Sequence, residues 1–314
     1  MNFYTDTDNI KRDSNTVVTI GTFDGIHKGH VNILKAVIDK ANELNGRNFV
    51  ITFEPHPRSV VSVEYKMQVL TTIGEKKELF EKLNIENLLV INFTKEFSQM
   101  KSDEFIKNFV LDKIGARHLI IGYDHKFGKN RGGNENNLRL MGTEYGFDVT
   151  TIHAVEEGED PISSTKIRAA LLEGDLDKAN NYLGRNYSFE GIVIKGAGRG
   201  RMIGIPTANI EPADSNKLIP AKGVYIVKCN IENEYHLGLL NIGIRPTFET
   251  KPEIVVEAHL FDFDKNIYGE RITVELLKRI RDEKKFESKE DLINQINADK
   301  NVAIEFISKL INLG

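Results

Sequence analysis

The chain has one cysteine, Cys229, in 314 residues. That excludes an intrachain disulfide and any zinc site built on several cysteines, and it fits a reducing compartment. Its place in the apolar stretch 225–229 predicts a buried, inert thiol. Long apolar runs are missing as well, and none approaches the ~20 residues that a membrane helix needs. The opening residues, Met1-Asn2-Phe3-Tyr4-Thr5-Asp6, lack the basic and apolar segments of a secretory leader. The expectation is a cytoplasmic protein with no membrane partner. A basic excess is also absent. The net charge of −4 gives no global electrostatic case for nucleic acid or an anionic membrane. Repeats and low-complexity linkers are not found. At ~150 residues per domain, the length predicts two ordinary globular domains.

The two halves have different rhythms. Strand-like segments at Thr16–Ile20, 48–53, Asn87–Asn92, 118–122 and Asp148–Ile152 alternate with helical patterns at 28–44, 72–83, 102–113 and 134–145. Thr72 and Glu75 have the spacing of a capping box. This alternation predicts a Rossmann-like α/β domain, a parallel sheet with helices on both faces and ligands beyond the C-terminal strand ends. After Gly184 strand patterns dominate, at 189–194, 224–231, 235–242, 254–261 and 272–277. Five or six such strands predict a small antiparallel barrel. Ser288 opens a terminal helix carrying Leu292, Ile293 and Ile296, and a second helical run carries Ile304, Ile307, Leu310 and Ile311. The expected domains are therefore 1–184 and 185–314.

The first strand leads into Gly21-Thr22-Phe23-Asp24-Gly25-Ile26-His27-Lys28-Gly29-His30. A strand, a glycine-bearing turn and a helix start make a phosphate site. His27 and His30, three apart, share one side of the first helical turn. Imidazoles there can donate to phosphate oxygens as charge builds during nucleotidyl transfer. Gly29 admits close approach of a nucleotide to the backbone. The alternative is two solvated histidines on a helix start. A second segment, Ile162-Ser163-Ser164-Thr165-Lys166-Ile167-Arg168, also precedes a helical run. One hydroxyl is enough for a cap. Three, followed by Lys166 and Arg168, also suit β- and γ-phosphates.

In the second half, the stretch from Gly196 to Gly204 holds four glycines and two arginines, a cationic loop suited to phosphates. It has neither the P-loop order nor a βαβ context. Pro206-Thr207-Ala208-Asn209 follows, and Thr207 and Asn209 fall on one side of an extended strand as candidate ligands for a Mg²⁺-nucleotide. Glu257 alternates with Val256 and Ala258. It is either an outward, solvated carboxylate or a general base for a sugar-like hydroxyl.

These segments resemble a known family. GTFDGIHKGH, Phe53-Glu54-Pro55-His56-Pro57, Gly122-Tyr123-Asp124-His125-Lys126-Phe127-Gly128 and ISSTKIR look like the FMN adenylyltransferase module of bacterial bifunctional riboflavin kinase/FAD synthetases. GRGR, GIPTAN, GVY, NIGIRPTF and VEAHLFDFD closely resemble riboflavin kinase. The resemblance covers roughly residues 16 to 310. It implies that His27, His30, Ser164, Thr165 and Arg168 handle ATP phosphates, and that Gly21, Phe23, Asp24, Gly29 and Asp124 belong to the same nucleotide site. It sets Phe53, Pro55, Pro57 and Phe127 beside the flavin. His125 departs from the family, in which many members carry Phe. For the second half the resemblance implies a six-stranded Greek-key barrel with a terminal helix, with Gly198, Gly204, Thr207 and Asn209 at ATP. Thr207 and Asn209 would hold Mg²⁺, and Glu257 would activate the ribityl 5′-hydroxyl. The implied substrates and products are riboflavin, FMN, FAD, ATP, ADP and pyrophosphate.

Two other readings compete. One is a nucleotidyltransferase for a different phosphorylated acceptor, against which PTAN and Glu257 count. The other is a flavin-responsive regulator that binds nucleic acid, for which Lys195, Arg199 and Arg201, flanked by acids, supply too little basic surface.

Overall fold

The protein was studied as a computed structural model that describes residues 1–62, 67–129, 132–157, 160–196, 200, 204–245 and 253–313, with backbone alone at 157, 160, 245, 253 and 310–313. The chain divides into two compact units, Met1–Ser164 and Thr165–Gly314.

The first unit runs β1 (Asn2–Tyr4), β2 (Thr16–Ile20), α1 (Lys28–Glu43), β3 (Asn48–Glu54), α2 (Pro57–Val61), α3 (Ile73–Lys82), β4 (Asn87–Asn92), α4 (Ser102–Phe105), β5 (Ala116–Gly122), α5 (Glu135–Tyr145) and β6 (Asp148–Ile152), then the short pair β7 (Glu156–Glu157) and β8 (Asp160–Pro161). Its sheet has the order β1-β4-β3-β2-β5-β6, and every pairing in it is parallel. All five residues of β2 are buried, because both faces of the sheet are covered. Val18 and Ile20 join a cluster with Phe49, Leu89 and Phe105 on one face. Val17 meets Val37 and Ala41 of α1 on the other. The Thr72–Glu75 capping box forms at the start of α3. The chain moves from β2 to β3 on one side and later crosses to β5 on the other. The gap between β2 and β5 is therefore the switch point at which such sheets bind ligands.

Three local features go beyond the sequence pattern. β1 is a short edge strand on β4. The helix expected over 102–113 starts as α4 but continues in π geometry over Ile106–Ile114. Pro57 opens the single turn α2, which His56 caps by accepting from the Arg58 N–H at 3.2 Å.

The turn after β2 carries left-handed backbone at Phe23 (φ 45°), Gly25 (φ 86°) and Ile26 (φ 38°). Left-handed φ at non-glycine residues such as Phe23 and Ile26 costs about 1–3 kcal/mol each. One buried carboxylate holds the turn. Asp24 Oδ1 accepts from the N–H of Leu70 at 2.9 Å and of Thr71 at 3.0 Å. The Thr71 hydroxyl in turn accepts from the Gly25 N–H at 2.9 Å. The Asp24 carbonyl takes the Ser164 hydroxyl at 2.8 Å.

The second unit begins with α6 (Ser164–Glu173), which extends from the last residue of the first, and α7 (Leu176–Leu183). There follow β9 (Tyr187–Ile194), β10 (Ala208–Pro212), β11 (Gly223–Ile231), β12 (Glu234–Arg245), β13 (Glu253–Leu260), β14 (Arg271–Arg281) and α8 (Lys289–Leu313). The strands close an antiparallel barrel in the order β10-β13-β12-β11-β14-β9. The expected six-stranded barrel with a terminal helix is what forms. The two terminal helical runs are one continuous helix, and the side chains of Leu310 and Ile311 fall outside the described residues. Asp299 of α8 receives the Arg281 guanidinium of β14 at 2.7 to 3.0 Å. Ala303, Ile296 and Ile307 pack on Val224, Ile226 and Leu239.

Two outcomes are expected. Asp24→Ala removes the acceptor of the N–H donors at 70 and 71, and losing such buried hydrogen bonds costs about 1–3 kcal/mol each. Chemical denaturation should show that loss, and an unchanged midpoint would remove Asp24 as the holder of the turn. Burial pushes the Cys229 thiol up to about 12. A thiol reagent at neutral pH should label the native protein negligibly and label it fully after denaturation.

Candidate functional site

Two groups of chemistry-bearing side chains stand out, one in each unit. In the first, α1 begins at the switch point with no acidic residue in its first turn, so its N-terminal N–H groups favour an anion. His27 is the N-cap, and its Nδ1 accepts from the His30 N–H in a long bond of 3.4 Å. That acceptor role places the proton of the neutral His27 ring on Nε2. The two imidazoles stack, with centroids 3.7 Å apart and planes 19° from parallel. Gly29 makes this possible, since a β-carbon there would come within 3.2 Å of the His27 ring. Phe23 supports the pair from below, packing edge-on against His30 at 5.3 Å and against Phe80 at 5.8 Å. A β-carbon on Gly21 would press on the same Phe23 ring at 3.0 Å.

The structure gives Asp24 a task the sequence did not suggest. Its carboxylate is 1% exposed and turned to the backbone of Leu70 and Thr71. Ser164 is linked to this turn through the Asp24 carbonyl. Arg168, one turn further along α6, is buried, while Thr165 is exposed. Asp124 is exposed in the loop after β5.

Two of the residues set beside the flavin by resemblance, Phe53 and Phe127, meet in one aromatic cluster. Phe105 contacts Phe53 at 6.4 Å and Phe127 at 5.7 Å. Phe93 and Phe97 complete the packing around Phe53. Pro55 follows a cis bond from Glu54, at the C-terminal end of β3. His125 lies 5.2 Å from Phe127, and burial lowers its imidazolium to about 4, so the ring is neutral at pH 7.

In the barrel, the pairing register assembles the second group. Asn209 of β10 is directly opposite Glu257 of β13, and Glu257 is directly opposite Asn241 of β12. Directly opposed residues project from one face, with Cβ atoms about 4.5–5.5 Å apart. The interior instead takes their neighbours Ile210, Val256 and Ala258, all buried. Glu257 is half-buried, and Asn209 is 8% exposed.

Gly196 fits closely against this row, and Gly200 against Thr207. A β-carbon on Gly196 would fall 2.0 Å from the Asn209 amide nitrogen. On Gly200 it would fall 3.0 Å from the Thr207 hydroxyl. Sequence reading assigned Gly198 and Gly204 to the phosphates. Gly198 lies outside the described residues, as do Arg199, Arg201 and the segment Pro246-Thr247-Phe248. Gly204 has φ 76° with open space around it, so a turn rather than a close neighbour calls for glycine. The signal that singles out Gly196 and Gly200 is contact with Asn209 and Thr207, and spacing alone does not carry it.

Thr207, Asn209 and Glu257 offer a hydroxyl, an amide oxygen and a carboxylate, the hard oxygen donors that suit Mg²⁺. Among the described residues no group of three or more His, Cys, Asp or Glu could hold a metal. A cation here would be shared with nucleotide phosphates, as Mg²⁺ usually is.

Comparison with known proteins finds one family in each half. Residues 9–166 match the FAD synthetase family and residues 183–307 the riboflavin kinase family. A bifunctional riboflavin kinase/FMN adenylyltransferase of Listeria monocytogenes is 36% identical over 95% of this chain and 94% of its own. That of Buchnera aphidicola (from Schizaphis graminum) is 39% identical over 97% of each chain. A crystal structure from Streptococcus pneumoniae, titled a macrolide-efflux protein, superposes with a TM-score of 0.88 at 30% identity, covering 96% of this chain and 97% of that one. Among the described residues of this chain, no helix is long and apolar enough to cross a membrane. With one family matched in each half and relatives that carry both along nearly their whole length, this chain belongs to the bifunctional riboflavin kinase/FMN adenylyltransferases.

Proposed function

We propose that the chain makes FAD from riboflavin in two ATP-dependent steps, in the cytoplasm and without nucleic acid or membrane, with each step assigned to the residues described above. The observation that carries the assignment is the cross-strand row Asn209–Glu257–Asn241, with Gly196 close against Asn209, in the half that matches riboflavin kinase.

In the kinase step the 5′-hydroxyl oxygen of riboflavin attacks the γ-phosphorus of ATP, and ADP leaves. Glu257 takes the hydroxyl proton as general base. Thr207 and Asn209 would hold Mg²⁺, which when bound neutralises phosphate charge. Gly198 and Gly204 belong to the loop that follows the phosphates. Most of the acceleration comes from holding the two substrates in line.

In the adenylylation step a phosphate oxygen of FMN attacks the α-phosphorus of a second ATP, and pyrophosphate leaves. FMN phosphate is ionised near pH 7, so the step needs no strong base. His27 and His30 donate to phosphate oxygens on which charge builds, aided by the helix start and by Gly29. Ser164, Thr165 and Arg168 receive the departing pyrophosphate. Gly21, Phe23 and Asp24 shape the turn, and Asp124 lies beside the nucleotide. Phe53, Pro55, Pro57 and Phe127 offer an apolar, aromatic wall to the flavin ring. The adenylylation domain is taken as 1–184 and the kinase domain as 185–314.

The direct test is a time course of riboflavin, FMN and FAD with purified protein, ATP and Mg²⁺. FMN should rise and fall as FAD accumulates. His30→Ala should cut FAD formation about 10²–10³-fold, the range for losing one transition-state donor, and spare FMN formation. Glu257→Ala should cut FMN formation about 10²–10⁴-fold and spare FAD formation from supplied FMN. Loss of both activities in either folded variant would overturn the assignment to separate residue sets. Gly196→Ala should displace the Asn209 amide and lower FMN formation alone. Wild-type kinase kinetics in that variant would mean that the loop contact is dispensable.

A further inference from the structure

His259 stands two residues beyond Glu257, on the same face of β13. Its Nδ1 lies 2.9 Å from the carbonyl oxygen of Pro206. A carbonyl only accepts, so the imidazole donates. Phe261 packs against the ring at 5.9 Å.

The location of this bond gives it a use. The ladder between β10 and β13 consists of two pairs, Ala208 with Ala258 and Asn209 with Glu257. Thr207 comes just before the first pair, where main-chain pairing to β13 has stopped. Continuing the register would set Thr207 opposite His259. The side chain of His259 thus takes over from the ladder and holds the next residue, Pro206, to the strand that carries Glu257. On its other side the segment is tied to the glycine loop, where the Ile205 N–H donates to the Gly200 carbonyl at 2.9 Å.

We propose that His259 is a positioning residue for the kinase step, fixing the Pro206–Thr207 segment against β13 so that Thr207 is presented to the Mg²⁺-nucleotide at a set distance from Glu257. This rests on the reading that Thr207 and Asn209 hold the metal-nucleotide and that Glu257 is the base. His259 touches no reacting atom and acts through Pro206. Its loss should therefore be read in the affinity for ATP before it is read in riboflavin binding.

The test is steady-state kinetics of FMN formation, with ATP and riboflavin varied separately. His259→Ala should raise the KM for ATP roughly three- to tenfold, the loss of one net hydrogen bond, with the KM for riboflavin unchanged. His259→Asn, whose amide nitrogen falls where Nδ1 was, should restore the wild-type KM. His259→Gln, whose amide lies one atom further out, should not. Circular dichroism and thermal denaturation of the same preparations report whether the barrel of each variant is folded.

Thr207→Ala and Glu257→Gln are measured alongside. If both keep wild-type FMN formation, the underlying reading fails and the inference falls with it. If both lose it while His259→Ala leaves the KM for ATP unchanged, or raises both KM values equally, the inference alone is overturned. Should His259→Ala fail to fold, the Asn and Gln variants decide, and equal KM values for ATP in those two would overturn it.

Discussion

In the first unit a single buried carboxylate sets the conformation on which the rest of the site depends. The turn from β2 to α1 contains two non-glycine residues in left-handed backbone, Phe23 and Ile26, and such a turn persists only where its surroundings over-determine it. Asp24 does this by accepting N–H donors from residues 70 and 71, more than forty positions away. The turn delivers His27 to the cap of α1 at the switch point of the sheet and brings Phe23 beneath His30. The stacked imidazoles and the link to Ser164 both follow from that one anchoring.

In the proposed reading the two units meet the same electrostatic task, holding a polyphosphate, by different means. The first uses oriented backbone dipoles at a helix start with imidazoles beside them. The barrel uses oxygen and amide groups lined up across three neighbouring strands, with Gly196 close against Asn209. The first arrangement depends on strained dihedrals, and the second on the alternation of side chains across a sheet.

Much of this was legible in the residues. Strands β2 to β5 of the first sheet were visible as apolar runs because their burial on both faces leaves little polar alternation to confuse them, while β6 at the sheet edge alternates exposed and half-buried residues. β1 was missed because three mostly exposed edge residues carry no such signal. β10 was read only as an extended segment, since Ala208, Asn209, Glu211 and Pro212 disfavour a strand locally and the pairing to β9 and β13 overrides them. The π geometry after Phe105 left the apolar spacing close enough to a helix that its type could not be told. In the site, HxGH, PTAN and Glu257 were found from chemistry and resemblance. The tasks of Asp24, Gly196 and His259 were not, because each is defined by a partner distant in sequence, and one chain read end to end does not show which distant residues meet.

The register of Asn209 against Glu257 has a consequence for how this barrel can change over time. Successive residues of a strand point to opposite sides, so inserting or deleting one residue at the start of β10 would exchange the places of Asn209 and Ile210 and turn a polar amide into the apolar interior. Length variation between Gly196 and Asn209 is therefore confined to the loop, where it leaves the phase of the strand intact. The loop can drift in length and composition among descendants, while the few residues from Pro206 to Asn209 must be inherited as a block.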